Sequence, residues 1–147
     1  MNDYDKIIEI ITAEIDLFEQ LINIMHKKKE QIISMNIDDL QKTLNEEIKL
    51  LAKTRLLENK RLDLVKSFYP QKNNIEKLPL SELIKEAPAK ESKILSELKF
   101  VLKSKLDEIK RINDSNRILI ERSKKFIKEN ISILTCAGER QLVNKKV

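Results

Sequence analysis

Pro70-Gln-Lys-Asn-Asn-Ile-Glu-Lys-Leu-Pro79-Leu-Ser-Glu-Leu-Ile-Lys-Glu-Ala-Pro88 holds all three prolines of a 147-residue chain, and it decides the fold. Proline stops a helix because it lacks an N–H and its ring clashes with the preceding turn. The single glycine, Gly138, lies far downstream. Hairpin turns and phosphate-cradling loops draw on glycine's access to positive φ. The chain therefore reads as long helix on both sides of one breaker-rich window. Function is expected from a helical surface, not from a loop-built catalytic site.

Upstream of the prolines, a helix is expected over residues 37–68. Its seam is drawn through Ile37, Leu40, Leu44, Leu51, Val65 and Phe68, flanked by Ile48, Leu50, Leu57, Leu62 and Leu64. That register places Glu47, Thr54, Glu58 and Arg61 where apolar residues belong. Glu58 and Arg61 stand three apart and can pair along one face, either as a weak exposed ion pair or as charges that set bundle register. Before this helix, Ser34-Met-Asn36 reads as a stop and restart. Asn36 serves as N-cap and Asp39 reaches back to it, and so short a joint favours a hairpin.

The first helix is expected over residues 3–34, capped by Asn2 or Asp3, with an acidic first turn that suits the helix dipole. Ile8, Ile11, Ile15, Phe18, Ile22, Met25 and Ile32 keep 3,4 spacing, interrupted by Lys29. Ile10, Leu17 and Ile24 widen the stripe to an arc of roughly 160° at the helical 100° per residue. A face that wide must touch two neighbours, either two helices of its own chain or one of them and a partner.

Downstream, a short helix is expected over 80–87 and a long one over 90–135. Leu95, Leu98, Leu102, Ile109, Ile112, Asn116, Leu119, Ser123, Phe126, Asn130 and Ile133 keep 3,4 spacing, interrupted by Lys105. Asn116, Ser123 and Asn130 make three successive polar positions. The apolar stripe shifts there to the pairs Leu119-Ile120, Phe126-Ile127 and Ile133-Leu134. Residues 136–147 read as a flexible polar tail. The fold class is all-α: an elongated antiparallel helical bundle or coiled coil of three long helices with a short crossover helix, forming one domain over residues 1–135.

Composition supports this. Apolar residues make up 41% and charged residues 36%, with 4% aromatic and no Trp, the balance of Leu/Ile seams flanked by Lys and Glu. No apolar run approaches the roughly 18 residues of a membrane span, and Met1-Asn-Asp-Tyr-Asp-Lys lacks a signal-peptide profile. A lone cysteine, Cys136, fits a reducing compartment, so a cytoplasmic location is expected. The net charge of +5 is uneven: residues 1–34 carry four basic and seven acidic side chains, and residues 90–134 twelve and seven. The basic residues alternate with acids and few aromatics accompany them, which argues for a solvated face over nucleic-acid binding.

No catalytic, metal-binding or cofactor-binding residues are expected. One histidine, His26, and one cysteine cannot form a His/Cys metal site. No nucleophile elbow, phosphate loop or H-E-x-x-H pattern occurs, and the Glu46-Glu47 and Asp107-Glu108 pairs sit beside lysines on helix surfaces. An enzyme is not expected.

Two segments carry a family resemblance: Leu50-Leu-Ala-Lys-Thr-Arg-Leu-Leu-Glu58-Asn-Lys-Arg61 and Ile109-Lys-Arg-Ile-Asn113-Asp-Ser-Asn116-Arg-Ile-Leu-Ile120. A glutamate-x-x-arginine late in the second helix, and an asparagine pair leading into leucines in a long last helix, resemble the FlgN family. The resemblance implies a cytosolic flagellar type III export chaperone. Such a chaperone binds the hook–filament junction proteins FlgK and FlgL through their C-terminal helical segments, prevents premature assembly and delivers them to the export apparatus. It places cargo recognition on Leu119, Ile120, Phe126, Ile127, Ile133 and Leu134. Glu58, Arg61, Asn113 and Asn116 are the candidates for bundle specificity. A tail tyrosine that the family often uses for gate docking is missing here; Leu142 and Val143 are a weak substitute. A monomer or weak homodimer is expected, with no nucleic acid and no membrane insertion. The competing expectations are a self-associating coiled-coil scaffold and a chaperone or adaptor for a different secretion cargo.

Overall fold

The computed structural model describes residues 2–69 and 80–146, with side chains in the last helix described to position 125 and at 128 and 129. Its elements are α1 (Asp3–Ile33), α2 (Ile37–Phe68), α3 (Leu80–Glu86) and α4 (Ala89–Lys146). Among the described residues no helix is long and apolar enough to cross a membrane.

Each boundary has a local cause. Asn2 caps α1 by accepting the Asp5 N–H at 2.8 Å, with Asp3 and Asp5 in the first turn. Asn36 caps α2 through Asp39 N–H at 3.4 Å, and its side-chain amide donates to the Asp39 carboxylate at 2.6 Å. The reach-back expected of Asp39 is thus made to the cap's side chain. Pro88 stands just outside α4, its carbonyl accepting Ser92 N–H at 2.8 Å, while Ser92 Oγ donates to Ile84 O at 2.8 Å and ties α4 to α3.

The α1–α2 joint is a hairpin. Tyr4 stacks against Phe68 with ring centroids 4.8 Å apart, Glu14 meets Arg61 and Lys28 meets Glu47, so the two helices run antiparallel. The α2–α4 connection then begins and ends at the same end of the bundle. Leu95 and Leu102 join Ile7, Ile11, Val65 and Leu83 in one buried cluster, and farther up Ile112 joins Leu21, Ile22 and Met25. The long helices therefore run up, down and up. α1 packs against both α2 and α4, which explains its broad apolar arc.

Two expectations change. In α2 the face against α1 carries buried Thr43, Leu50 and Val65, whereas Ile37, Leu44 and Leu51 of the expected seam are exposed. One residue is about 100° on a helix, so Thr43 and Leu50 replace Leu44 and Leu51 against α1, while Val65 stays in the seam as drawn. Glu47, Thr54 and Arg61 belong to it. The helix end expected at Thr135 is also absent: α4 continues to Lys146. Gly138 costs only about 1 kcal/mol in a helix interior, Glu139, Arg140, Gln141 and Leu142 are good helix formers, and no proline follows.

Candidate functional site at the hairpin tip

Three of the polar seam positions, Arg61, Glu47 and Lys105, meet an oppositely charged side chain on another helix. Arg61 Nε lies 2.7 Å from Glu14 Oε1, with the Glu14 side chain 2% exposed and Arg61 21%. Lys28 Nζ lies 2.9 Å from Glu47 Oε2, both largely buried, and Lys105 Nζ lies 2.7 Å from Glu19 Oε2. Burial pushes the Glu14 carboxyl above the usual carboxylate range, partly offset by the Arg61 guanidinium, with Glu58 adding a smaller upward push. The hydrogen bond to Glu19 raises Lys105. Arg61 is thus bonded to a residue 47 positions away, not to Glu58, which stays exposed. The expected Glu58–Arg61 pair gives way because a desolvated carboxylate on α1 draws the guanidinium across the seam more strongly than an exposed one on its own helix.

Asn116 is buried and its Nδ2 donates to Met25 O at 3.1 Å, joining α4 to α1. Asn113, its expected companion, is exposed. α4 is 58 residues long against 31 in α1 and 32 in α2. At about 1.5 Å per residue it spans roughly 87 Å, against some 48 Å for its partners. Its C-terminal part therefore outruns the hairpin.

Where α1 ends, a groove of about 310 Å³ opens between Ile32, Ile33 and Met35 on one wall and Leu119, Arg122 and Ser123 on the other. Ile33 is 63% and Met35 48% exposed. Leu119 and its neighbour Ile120 are half-buried. The groove thus begins the α4 stripe that the sequence singles out. Phe126, Ile127, Ile133 and Leu134 follow along α4, and their side chains lie outside the described residues.

Met35 has a particular conformation. Its φ is 55°, its N–H bonds Ile32 O at 3.2 Å, and Asn36 N–H bonds Gln31 O at 3.0 Å. This is a Schellman stop with methionine at the left-handed position that glycine normally fills. A side chain there strains the backbone by about 1 kcal/mol. Sequence reading missed Ile33 and Met35 as groove residues; the signal was an apolar pair flanking a turn that has no glycine.

At the base of the bundle, the Tyr69 hydroxyl donates to Glu86 at 2.7 Å. Burial, then that bond, push Tyr69 up to about 12. Among the described residues no group of three or more His, Cys, Asp or Glu side chains assembles to hold a metal ion. What the tip arrangement can do is receive a helix: it offers apolar walls, one guanidinium and a helical rail continuing beyond.

Residues 1–143 match the family model described as FlgN protein. No curated protein matches the chain, and no solved structure does.

Proposed function

Because the chain belongs to the FlgN family of flagellar export chaperones, we propose that it is a non-catalytic, cytoplasmic bacterial chaperone of the type III route. Its cargo in this reading is FlgK and FlgL, held by their C-terminal helical segments until delivery to the export apparatus. The chaperone is a monomer or weak homodimer when free. The observation that carries this is the tip groove, where exposed Ile33 and Met35 face Leu119 at the start of the overhanging half of α4. An amphipathic cargo helix laid along Leu119-Ile120, Phe126-Ile127 and Ile133-Leu134 would cover an apolar stripe that α1 and α2 are too short to reach. Met35 and Ile33 would grip its near end.

The test is fluorescence anisotropy with a labelled C-terminal segment of a FlgK-type protein. Binding that falls at least tenfold with Leu119→Asp, at unchanged helicity, supports the reading; equal binding by the variant refutes this placement. A self-associating scaffold is the second reading, favoured by one observation. Ile37, Leu44, Ile48 and Leu51 form an exposed apolar stripe on α2, with 37, 44 and 51 at seven-residue steps. A tight homodimer lost with Leu44→Lys and Ile48→Lys, and no cargo binding, would establish it.

A further inference from the structure

At the end of the bundle away from the hairpin tip, α3 and α4 enclose a cleft of about 450 Å³. Its apolar surface comes from Ile84 of α3 and Phe100 of α4. Phe100 is 76% exposed, more than any other large apolar residue among those described. Leu83 anchors α3 beneath the cleft, 2% exposed in the core, and the Ser92–Ile84 bond fixes the angle between the helices. The cleft is therefore a built feature of the crossover and not a gap left by poor packing.

Its rim is of one sign. Lys85, Lys99 and Lys103 line the cleft together with Ser81 and Ser96, and among the described residues no acidic side chain does. None of the three lysines takes part in an ion pair among the described residues, although lysines elsewhere in the bundle are matched to Glu19, Glu46 and Glu47. An aromatic floor with an unmatched cationic rim leaves both halves of an interaction unfilled: apolar area to cover and positive charge to neutralise. The basic stretch is also short. Exposed Asp107 lies one turn beyond Lys103 on α4, and exposed Glu97 lies just before Phe100. A long phosphate track cannot continue past them, and a concave cleft with a single exposed ring presents no broad apolar plane to a bilayer.

We propose that this cleft docks a short acidic amphipathic segment of a partner protein. One large apolar anchor of that segment would sit on Phe100 and Ile84, and its carboxylates would pair with Lys85, Lys99 and Lys103. Charge complementarity sets the rate and orientation of such docking while the buried anchor supplies most of the affinity. The site is independent of the tip groove. Positions 100 and 119 are separated by 19 residues of α4, roughly 28 Å of helix.

The test is selection of random 16-residue peptides against the full chain, with counter-selection against Phe100→Ser. Phe100 and Lys103 are exposed and Lys99 is half-buried, none of them in the core, so Phe100→Ser and Lys99→Glu/Lys103→Glu are expected to keep wild-type helicity, which circular dichroism checks. The proposal predicts Phe100-dependent binders enriched in Asp and Glu around one Leu, Phe or Trp. Their affinity should drop at least tenfold with Lys99→Glu/Lys103→Glu and several-fold between 50 and 300 mM salt. Phe100-dependent binders without acidic enrichment, or no Phe100-dependent binders, overturn it. So would binding of phosphatidylglycerol vesicles or a single-stranded oligonucleotide that Phe100→Ser abolishes, which would reassign the cleft to a membrane or nucleic acid.

Discussion

Replacing Arg61 with methionine keeps the stem that packs in the α1–α2 seam and removes the cation bonded to Glu14. The distance of 2.7 Å and the 2% exposure of Glu14 make this an interior pair. Removing one member of such a pair costs about 3–5 kcal/mol, and partial exposure of Arg61 puts the expectation at about 3. A second route gives a ceiling. The stranded carboxyl can take a proton instead of staying charged. From an unfolded value of 4.5, that costs about 1.36 kcal/mol for each pH unit above it, or some 3.4 kcal/mol at pH 7 and about 0.7 at pH 5. The folded state then holds a proton that the unfolded state has released, so stability declines as pH rises. The loss in Arg61→Met should be about 3 kcal/mol at pH 7 and below about 1 at pH 5, measured by urea unfolding of both proteins at each pH. Wild-type Glu14 is also raised, so the parent loses stability in the same direction, over the window between the ordinary carboxylate pKa and its raised folded value. Glu14→Leu/Arg61→Met should recover most of the loss, since an apolar pair can replace a buried ion pair. A loss equal at pH 5 and pH 7, or below about 1 kcal/mol at pH 7, would refute the burial of this pair.

Met35→Gly should stabilise the hairpin by about 1 kcal/mol by releasing the left-handed strain, while weakening cargo binding because one groove wall is gone; thermal unfolding and anisotropy on the same samples check both signs. Asn116→Leu should leave stability within about 1 kcal/mol of wild type, because the Met25 carbonyl it bonds is already in a helix, yet loosen the α1–α4 register. Hydrogen exchange around Met25 and Ile112 that is faster than in wild type would show this; unchanged exchange would remove Asn116 from any register role. Tyrosinate absorbance should show a group titrating near pH 12 that Tyr69→Phe eliminates. Because the folded value is raised above the ordinary phenol, the stability linked to Tyr69 is complete below pH 10 and is lost as pH climbs toward 12.

Helix boundaries were legible where a cap or a proline writes them. Asn2 and Asn36 each announce a start, Pro88 marks the stop after α3, and α2 spans the residues expected of it. The width of the α1 arc foretold its two neighbours. The phase of α2 was harder to see. Its seam is filled by Thr43, Glu47, Thr54 and Arg61 between sparse leucines, so the apolar residues alone favour the outer stripe through Leu44 and Leu51. What fixes the true phase is Glu14 and Lys28 on another helix, and no spacing rule within α2 can reveal partners that far along the chain. The groove was half legible. Leu119 and Ile120 stand out through the paired stripe, but Ile33 and Met35 become groove walls only because the chain turns left-handed at a methionine, which a propensity-based reading assigns to glycine. Past position 135 the polar, aperiodic sequence read as a flexible tail, although α4 continues to Lys146 because a lone glycine is too weak a breaker to stop a helix with good formers behind it.

The central claim is that the overhanging half of α4, with the hairpin tip, holds a cargo helix. Light scattering after size exclusion, with and without the C-terminal helical segment of a FlgK-type protein, tests it most directly. The account predicts a one-to-one complex that forms with the wild-type chain and fails with Phe126→Asp or Ile127→Asp while helicity is retained. A tight homodimer at every concentration with no complex, or a complex indifferent to both substitutions, would contradict it.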